Sequence, residues 1–325
     1  MKYLNHVLLL LIVAALLLTV GCNGPKQVFF QKGQVDTIRF VRSDSYRNWV
    51  EMPNQPPASE SARLLTEEVV LTREVEELNS DGSAILKVTF DQVNITDKRI
   101  VQGTENVFQY ISNANETKST QADEPALAGV SYRVKLAPDT TVQEIIGLTE
   151  LRQELSLIEG AAGLAASLLN EKRIEICHER EFLQSGVEID KPATKLYSVE
   201  HEMNKAKALE KTFSATMQPG NIMSVAMTGD AVYVLPAGWA ETPQPSDPFR
   251  PVIKDKSDMQ PPEIIGESLL DRNTNQVLKD HTSVKCLLIL TEDKIAQSVD
   301  NTEVKGTGGL MFTEIKLEHN FEKLN

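Results

Sequence analysis

Asn79-Ser80-Asp81-Gly82 leads through Ser83 into Ala84-Ile85-Leu86-Lys87-Val88-Thr89-Phe90. Asp-Gly accepts the positive φ that a tight hairpin turn demands. After it, Leu86, Val88 and Phe90 fall on one face, with Lys87 and Thr89 on the other. A period of two is the mark of a half-buried antiparallel strand. The turn then asks for a partner strand before it. Residues 67–78 (EEVVLTREVEEL) have mixed propensity: Val69, Leu71 and Val75 suit a strand, while the Glu and Arg content suits a helix. The hairpin decides for a strand.

The same pattern continues to either side. Residues 35–41 (VDTIRFV), 107–111 (VFQYI) and 130–136 (VSYRVKL) are β-branched or aromatic and alternate. Residues 53–57 (PNQPP) and the polar stretch 112–125 read as loops. Further strands are expected at 197–203, 211–217 and 223–227. Another follows a Thr228-Gly229-Asp230 turn, at 231–235. The last are placed at 276–280, 284–290 (VKCLLIL) and from 308 onward (GGLMFTEIKL), with a turn at Asn273-Thr274-Asn275.

One stretch breaks the period. From Thr149 to about residue 185, Leu151, Leu155, Ile158 and Ala162 share one helical face, and Leu164, Leu168 and Leu169 extend the stripe. Thr149 is the expected N-cap. Gly160 and Gly163 each weaken a continuous helix by ~1 kcal/mol relative to Ala, so two helices or a kink are expected there. The expected fold is therefore α+β: an antiparallel, β-rich sheet, curved or partly closed, with a central helical segment at about 149–185. The C-terminal strands repeat the N-terminal style, so residues 28–325 are taken as a single domain with that insert.

The N-terminus has a different purpose. Lys2 precedes an apolar run from Val7 to Val20, which is short for a bilayer-spanning helix of ~20 residues and suits a signal-peptide core. Thr19-Val20-Gly21-Cys22 then resembles the bacterial lipobox, with Thr19 where leucine is usual. Small residues let a peptidase reach the bond before Cys22. The thiol takes a diacylglyceryl group, and acylation of the new amino group adds the second signal that stable anchoring needs. Residues 1–21 are thus expected to be a lipoprotein signal peptide and 22–27 a lipidated tether. Asn23, in place of Asp, favours the outer membrane over the inner, with the chain facing the periplasm or the exterior.

Charge narrows the partners. The chain carries 33 Lys and Arg against 46 Asp and Glu, a formal net charge of −13. Nucleic acid is excluded as a partner, because neutralising phosphates requires clustered cations. Adhesion to anionic lipid by charge is disfavoured too, which leaves membrane attachment to Cys22. With Cys22 lipidated, Cys177 and Cys286 form the one intramolecular disulfide open to the chain, and an exported compartment permits it. The alternative is two buried free thiols.

Catalytic and metal motifs are scarce. Cys177-His178-Glu179 places nucleophile, base and acid side by side, but successive helical residues diverge by ~100° and cannot face one substrate. A solvated helix end is expected there instead. The sequence holds no G-x-S-x-G elbow, P-loop, HExxH or paired CxxC, so no cofactor and no metal are expected. Trp239 and Phe249, within the Pro-rich residues 236–262, are the candidates for a binding lip.

The order of these features resembles a family of uncharacterised exported bacterial lipoproteins, a domain of unknown function. The resemblance is carried by the lipobox, Lys32-Gly33, Asp81-Gly82, and Tyr132-Arg133-Val134-Lys135-Leu136 running into Val142–Leu148 and a helix. Gly266, Asp271 and Val277 complete it. It implies a sheet wrapped on a helical insert and lends no catalytic residue. The expected function is a non-enzymatic envelope lipoprotein that binds a protein partner or supports the envelope. The alternative is a lipid or apolar-ligand carrier, and an unrecognised hydrolase ranks last.

Overall fold

The computed structural model describes residues 30–51, 58–120, 126–157, 168–189, 191–201, 204–233, 249–250, 263–292 and 310–325. The strands of the first half are β1 (Val35–Glu51), β2 (Ala58–Leu78), β3 (Ala84–Val101), β4 (Thr104–Asn113), β5 (Glu116–Ser119), β6 (Ser131–Leu136) and β7 (Val142–Ile146). Three short helices follow: α1 (Leu148–Ser156), α2 (Glu171–His178) and α3 (Glu181–Gln184). The second half supplies β8 (Ala193–His201), β9 (Asn204–Gln218), β10 (Ile222–Tyr233), β11 (Phe249–Arg250), β12 (Glu263–Asp271), β13 (Gln276–Glu292) and β14 (Leu310–Lys323).

All fourteen strands belong to one sheet; eleven run in the order β5-β4-β3-β2-β1-β14-β13-β12-β10-β9-β8, while β11 pairs with β13, and β6 pairs with β3 and β7 off that path. The named strands pair antiparallel throughout. The central pair is β1 with β14, registered from Ile38↔Lys323 to Glu51↔Leu310, so the two ends of the described chain meet mid-sheet. The path stops at β5 and β8, and the sheet is open rather than closed. Strand β3 serves two neighbours on its far side: Ala84–Thr89 pairs with β6 and Gln92–Val101 with β4.

Alternation explains why these strands form. Along β3, Ala84, Leu86, Val88 and Phe90 are buried, then Val93, Ile95 and Asp97. The phase slips between Phe90 and Val93, and the β2–β3 register shifts between Val70 and Leu71 at that point. A bulge of this kind lets one extra residue pass without turning the core face outward. The buried residues of β1–β3, β6, β9, β10, β12 and the helices form one cluster. Fully burying each such large apolar side chain contributes roughly 1.5–3 kcal/mol.

The fold is β-rich, and the helical share is smaller than the sequence pattern suggests. Among the described residues the segment holds only α1, α2 and α3, the longest being the 9 residues of α1. Leu155 packs inward as expected, but α1 starts at Leu148, with Gly147 at φ 77 as its N-cap, not Thr149. Helix α2 is capped by Asn170, whose side chain accepts from the Lys172 N–H. Residues 112–125 are not all loop, since β5 pairs with β4. Thr228-Gly229-Asp230 is no turn: it runs straight through β10, all three residues paired with β9 and the first two also with β12. Residues 276–280 and 284–290 join into β13. The expected kink at Gly160 lies outside the described residues.

Candidate functional site

The inward faces of β1 and β2 carry charges among their apolar side chains. Asp36, Arg42 and Asp44 share a face with Ile38 and Phe40; Glu67 and Arg73 share one with Val69, Leu71 and Val75. Arg73 donates two hydrogen bonds to Asp36, at 2.7 and 2.8 Å, with both side chains almost buried. Burial alone would pull the Arg73 guanidinium down, but the charge and hydrogen bonds of Asp36 outweigh it and hold its pKa above the usual value. Arg42 pairs with Asp44, and Arg173 of α2 reaches across to Glu67.

Helices α2 and α3 lay their polar ends onto this face. His178 is 1% exposed and its Nε2 lies 2.8 Å from the Tyr132 hydroxyl of β6. Burial, then the charges of Arg73 and Arg180, hold the imidazole well below its ordinary pKa, so it is neutral. Burial raises the Tyr132 phenol well above its usual value. Arg180, 3% exposed, stacks 3.7 Å over the Phe321 ring. Its terminal nitrogens donate to the carbonyls of Ile176, Cys177 and Glu179. Burial lowers its pKa to about 10, which leaves it charged at neutral pH.

Two cavities lie between sheet and helices. The first, of about 40 Å³, is apolar and lined by Phe40, Val69, Leu71, Phe90, Leu168, Ile174, Ile176 and Cys177, with Tyr132 in its wall and Arg42, Glu67 and Arg173 as its polar members. The second, also about 40 Å³, is lined by Asp36, Arg73, Thr140, His178, Arg180, Phe321 and Lys323, with apolar neighbours including Val75 and Leu86. Each partly open space has room for about one to a few waters and is smaller than a lipid.

The Cys177-His178-Glu179 triplet diverges as helix geometry requires. Cys177 faces the first cavity, His178 the second, and Glu179 accepts the Val142 N–H. It is not a solvated helix end, however: Cys177 and His178 are both buried against the sheet. Cys177 is a free thiol, so the bridge to Cys286 that the cysteine count permits is not formed. Burial pushes its pKa up to about 11, which removes the thiolate that nucleophilic chemistry would use. The Cys286 side chain, Cys22 and Trp239 lie outside the described residues. Phe249 stands on β11, paired with Glu292 of β13, and its side chain is likewise outside them. Among the described residues no group of three His, Cys, Asp or Glu could hold a metal.

The sequence did not single out Tyr132, Arg180, Arg73 or Asp36 as site residues. Asp36 and Arg73 had a signal, a charge in phase with core residues. Arg180 had none, because it follows the helix and meets Phe321 only through the fold.

No family model and no curated protein matches the chain. Among solved structures it aligns with one of lipid–protein interactions in lipovitellin. That alignment has 10% identity and a TM-score of 0.36, and covers 89% of this chain and 25% of that one. It also aligns with DynF from the dynemicin biosynthesis pathway of Micromonospora chersina. There the identity is 7% and the TM-score 0.17, with 92% and 83% covered. This chain spans only about a quarter of the lipovitellin chain. Likenesses this slight carry no argument about function.

Proposed function

We propose that the chain is a lipid-anchored protein of the bacterial envelope that binds an apolar ligand without transforming it. The observation that carries the binding role is the cavity between β1–β3 and α2, whose walls are Phe40, Val69, Leu71, Phe90, Leu168 and Ile174. Apolar pockets with a few convergent polar groups are where small ligands bind. A space of this size accepts only part of an alkyl chain, so the rest of the ligand lies toward solvent or displaces α2. Two features argue for holding rather than catalysis: the thiol there is kept protonated, and the neighbouring imidazole is tied to a phenol. The anchor is Cys22, and the outer membrane is favoured over the inner by Asn23.

A protein partner is the other binding role open to such a chain. On the described outer surface some charges pair with one another, as in Arg39–Glu68, Arg47–Glu60 and Arg133–Glu76, while Leu64, Val101, Leu157 and Met217 stand exposed.

The test uses full-length protein taken from its own membrane into lipid nanodiscs, followed by native mass spectrometry. A stoichiometric apolar adduct is expected, and Ile176→Trp, which enlarges a side chain lining the cavity, should abolish it. A clean apo mass for the wild type would overturn the ligand role and return the search to protein partners. Labelling with an alkyne fatty acid should mark the wild type and miss Cys22→Ala; equal labelling of both would remove the anchor.

A further inference from the structure

Two buried polar atoms have no hydrogen bond among the described residues: His178 Nδ1 and Arg180 Nε. A buried polar group left unpaired costs ~1–3 kcal/mol, and more when it is charged. Both side chains line the second cavity. The nature of the missing partner follows from the two atoms. Arg180 Nε–H can only donate. His178 is neutral, and its Nε2 lies 2.8 Å from the Tyr132 hydroxyl; assigning the phenol as donor in that pair gives its buried proton an acceptor and places the imidazole proton on Nδ1, which then donates as well. Two donors on the lining of one space ask for an acceptor.

Charge narrows the acceptor further. The lining carries Arg73, Arg180 and Lys323 against a single carboxylate, Asp36. Asp36 is committed to Arg73 through both oxygens. Lys323 donates to the neutral Gln276 side chain. The carboxylate nearest Arg180 Nε is Asp280, 3.9 Å away and beyond hydrogen-bonding distance, and it accepts from Ser268. An anion is therefore favoured over a neutral acceptor. A space of about 40 Å³ suits a group the size of a carboxylate.

The two cavities also follow one another along β2. Val69 and Leu71 line the first and Arg73 and Val75 the second, successive inward positions on β2, each step ~7 Å along the strand. Tyr132 and Cys177 line the first cavity and His178 the second, with no described residue lining both, so a ligand reaching into both passes beside the Tyr132–His178 hydrogen bond. A head group at Arg180 would carry a short tail toward Leu71 and Phe90.

We infer that Arg180 Nε–H and His178 Nδ1–H seat a carboxylate, so that the ligand of the neighbouring apolar cavity is an amphiphile with an acidic head rather than a neutral apolar molecule. This rests on the apolar-ligand role proposed above. The same two donors would also hold a free small carboxylate, and the experiment separates the two sources.

Full-length protein in nanodiscs is titrated by calorimetry with hexanoate, hexanol and acetate, with empty discs as the blank. Hexanoate should bind at least tenfold more tightly than hexanol and than acetate. In Arg180→Met the preference over hexanol should fall to near one. If that buried variant does not fold, the wild-type ratios alone decide. Equal binding of hexanoate and hexanol would overturn the carboxylate seat and leave the apolar cavity standing, its polar atoms then being satisfied by water. Acetate binding as tightly as hexanoate would overturn the amphiphile and assign the seat to a free anion. Binding of none of the three would overturn both the seat and the apolar-ligand role.

Discussion

Charged side chains occupy core-facing positions of β1 and β2 where alternation calls for apolar ones, and each is held by a named partner. Arg73 and Asp36 form the tightest case. Removing one member of a buried pair leaves an uncompensated charge and costs ~3–5 kcal/mol, whereas replacing both with apolar groups is often neutral. Arg73→Met should therefore lower the unfolding free energy by ~3–5 kcal/mol in urea, and adding Asp36→Leu should recover most of it. A double variant as unstable as the single would mean the pair is needed for more than its own charges. Gly266 is constrained by space instead. A Cβ there would stand 2.6 Å from the His281 carbonyl oxygen and from Met227 Cε. Overpacking of this kind costs ~1–3 kcal/mol, so Gly266→Ala should show that loss in the same urea assay. His319 on β14 gives the pH dependence. Burial, then Arg42, holds its pKa down to about 4 from an ordinary 6.5. The unfolded chain then binds more protons between those values, so stability is full above about pH 6.5 and falls as pH drops toward 4. His178 is shifted in the same direction. The part due to His319 is on the order of 2 kcal/mol, because its side chain is only half-buried. His319→Gln should flatten the slope between pH 6.5 and 4.5, and an unchanged slope would remove His319 as its source.

Elements built from local chemistry were legible in the sequence, and those set by distant partners were not. The β2–β3 hairpin was plain because Asp81 and Gly82 encode it within four residues: the Asp81 carboxylate takes the Ser83 N–H and hydroxyl, and Gly82 sits at φ 83. The strand reading of β2 was correct against its Glu and Arg content, since those charges find partners on neighbouring strands, as Arg73 does on β1. Thr228-Gly229-Asp230 looked like a turn because Gly and Asp mark turns, but β9 and β12 pair across it and override the preference. The helical stripe was real at Leu155, Leu168 and Leu169, while Ile158, Ala162 and Leu164 lie outside the described residues. Of the candidate site, Cys177 and His178 stood out in the sequence, while the partners that define it, Tyr132 at 46 residues' separation among them, come from the sheet. The cap also explains a local prediction. Asn170 supplies the N-cap of α2, and its loss costs ~1 kcal/mol of helix stability. Asn170→Ala should speed amide exchange at residues 173–178 severalfold and leave β1–β14 amides unchanged. Uniform acceleration would show that α2 opens only with the whole fold.

At the scale of the molecule, the decisive contact is the one furthest apart in the chain. Strand β14 is the last element and lies between β1 and β13, joined to β1 from Ile38↔Lys323 to Glu51↔Leu310 and to β13 from Lys279↔Glu322 to Thr291↔Leu310. Among the described strands it is what connects the half β1–β7 to the half β8–β13. Closing contacts across nearly the whole chain carries its loop entropy before any pairing repays it, so folding should be slow and late at this seam. Until β14 docks, β1 and β13 each present an unpaired edge, the condition under which sheets pair with the wrong neighbour. A chain ending before Leu310 keeps thirteen of the fourteen strands and should nonetheless fail to give soluble monomer, appearing as aggregate in size-exclusion chromatography. Adding a synthetic peptide of residues 310–325 during refolding should restore part of the monomer, because the missing strand then fills the seam from outside. A truncated chain that stays monomeric, with the circular dichroism and urea midpoint of the full protein, would mean that each half folds on its own and that the seam contributes nothing to cooperativity.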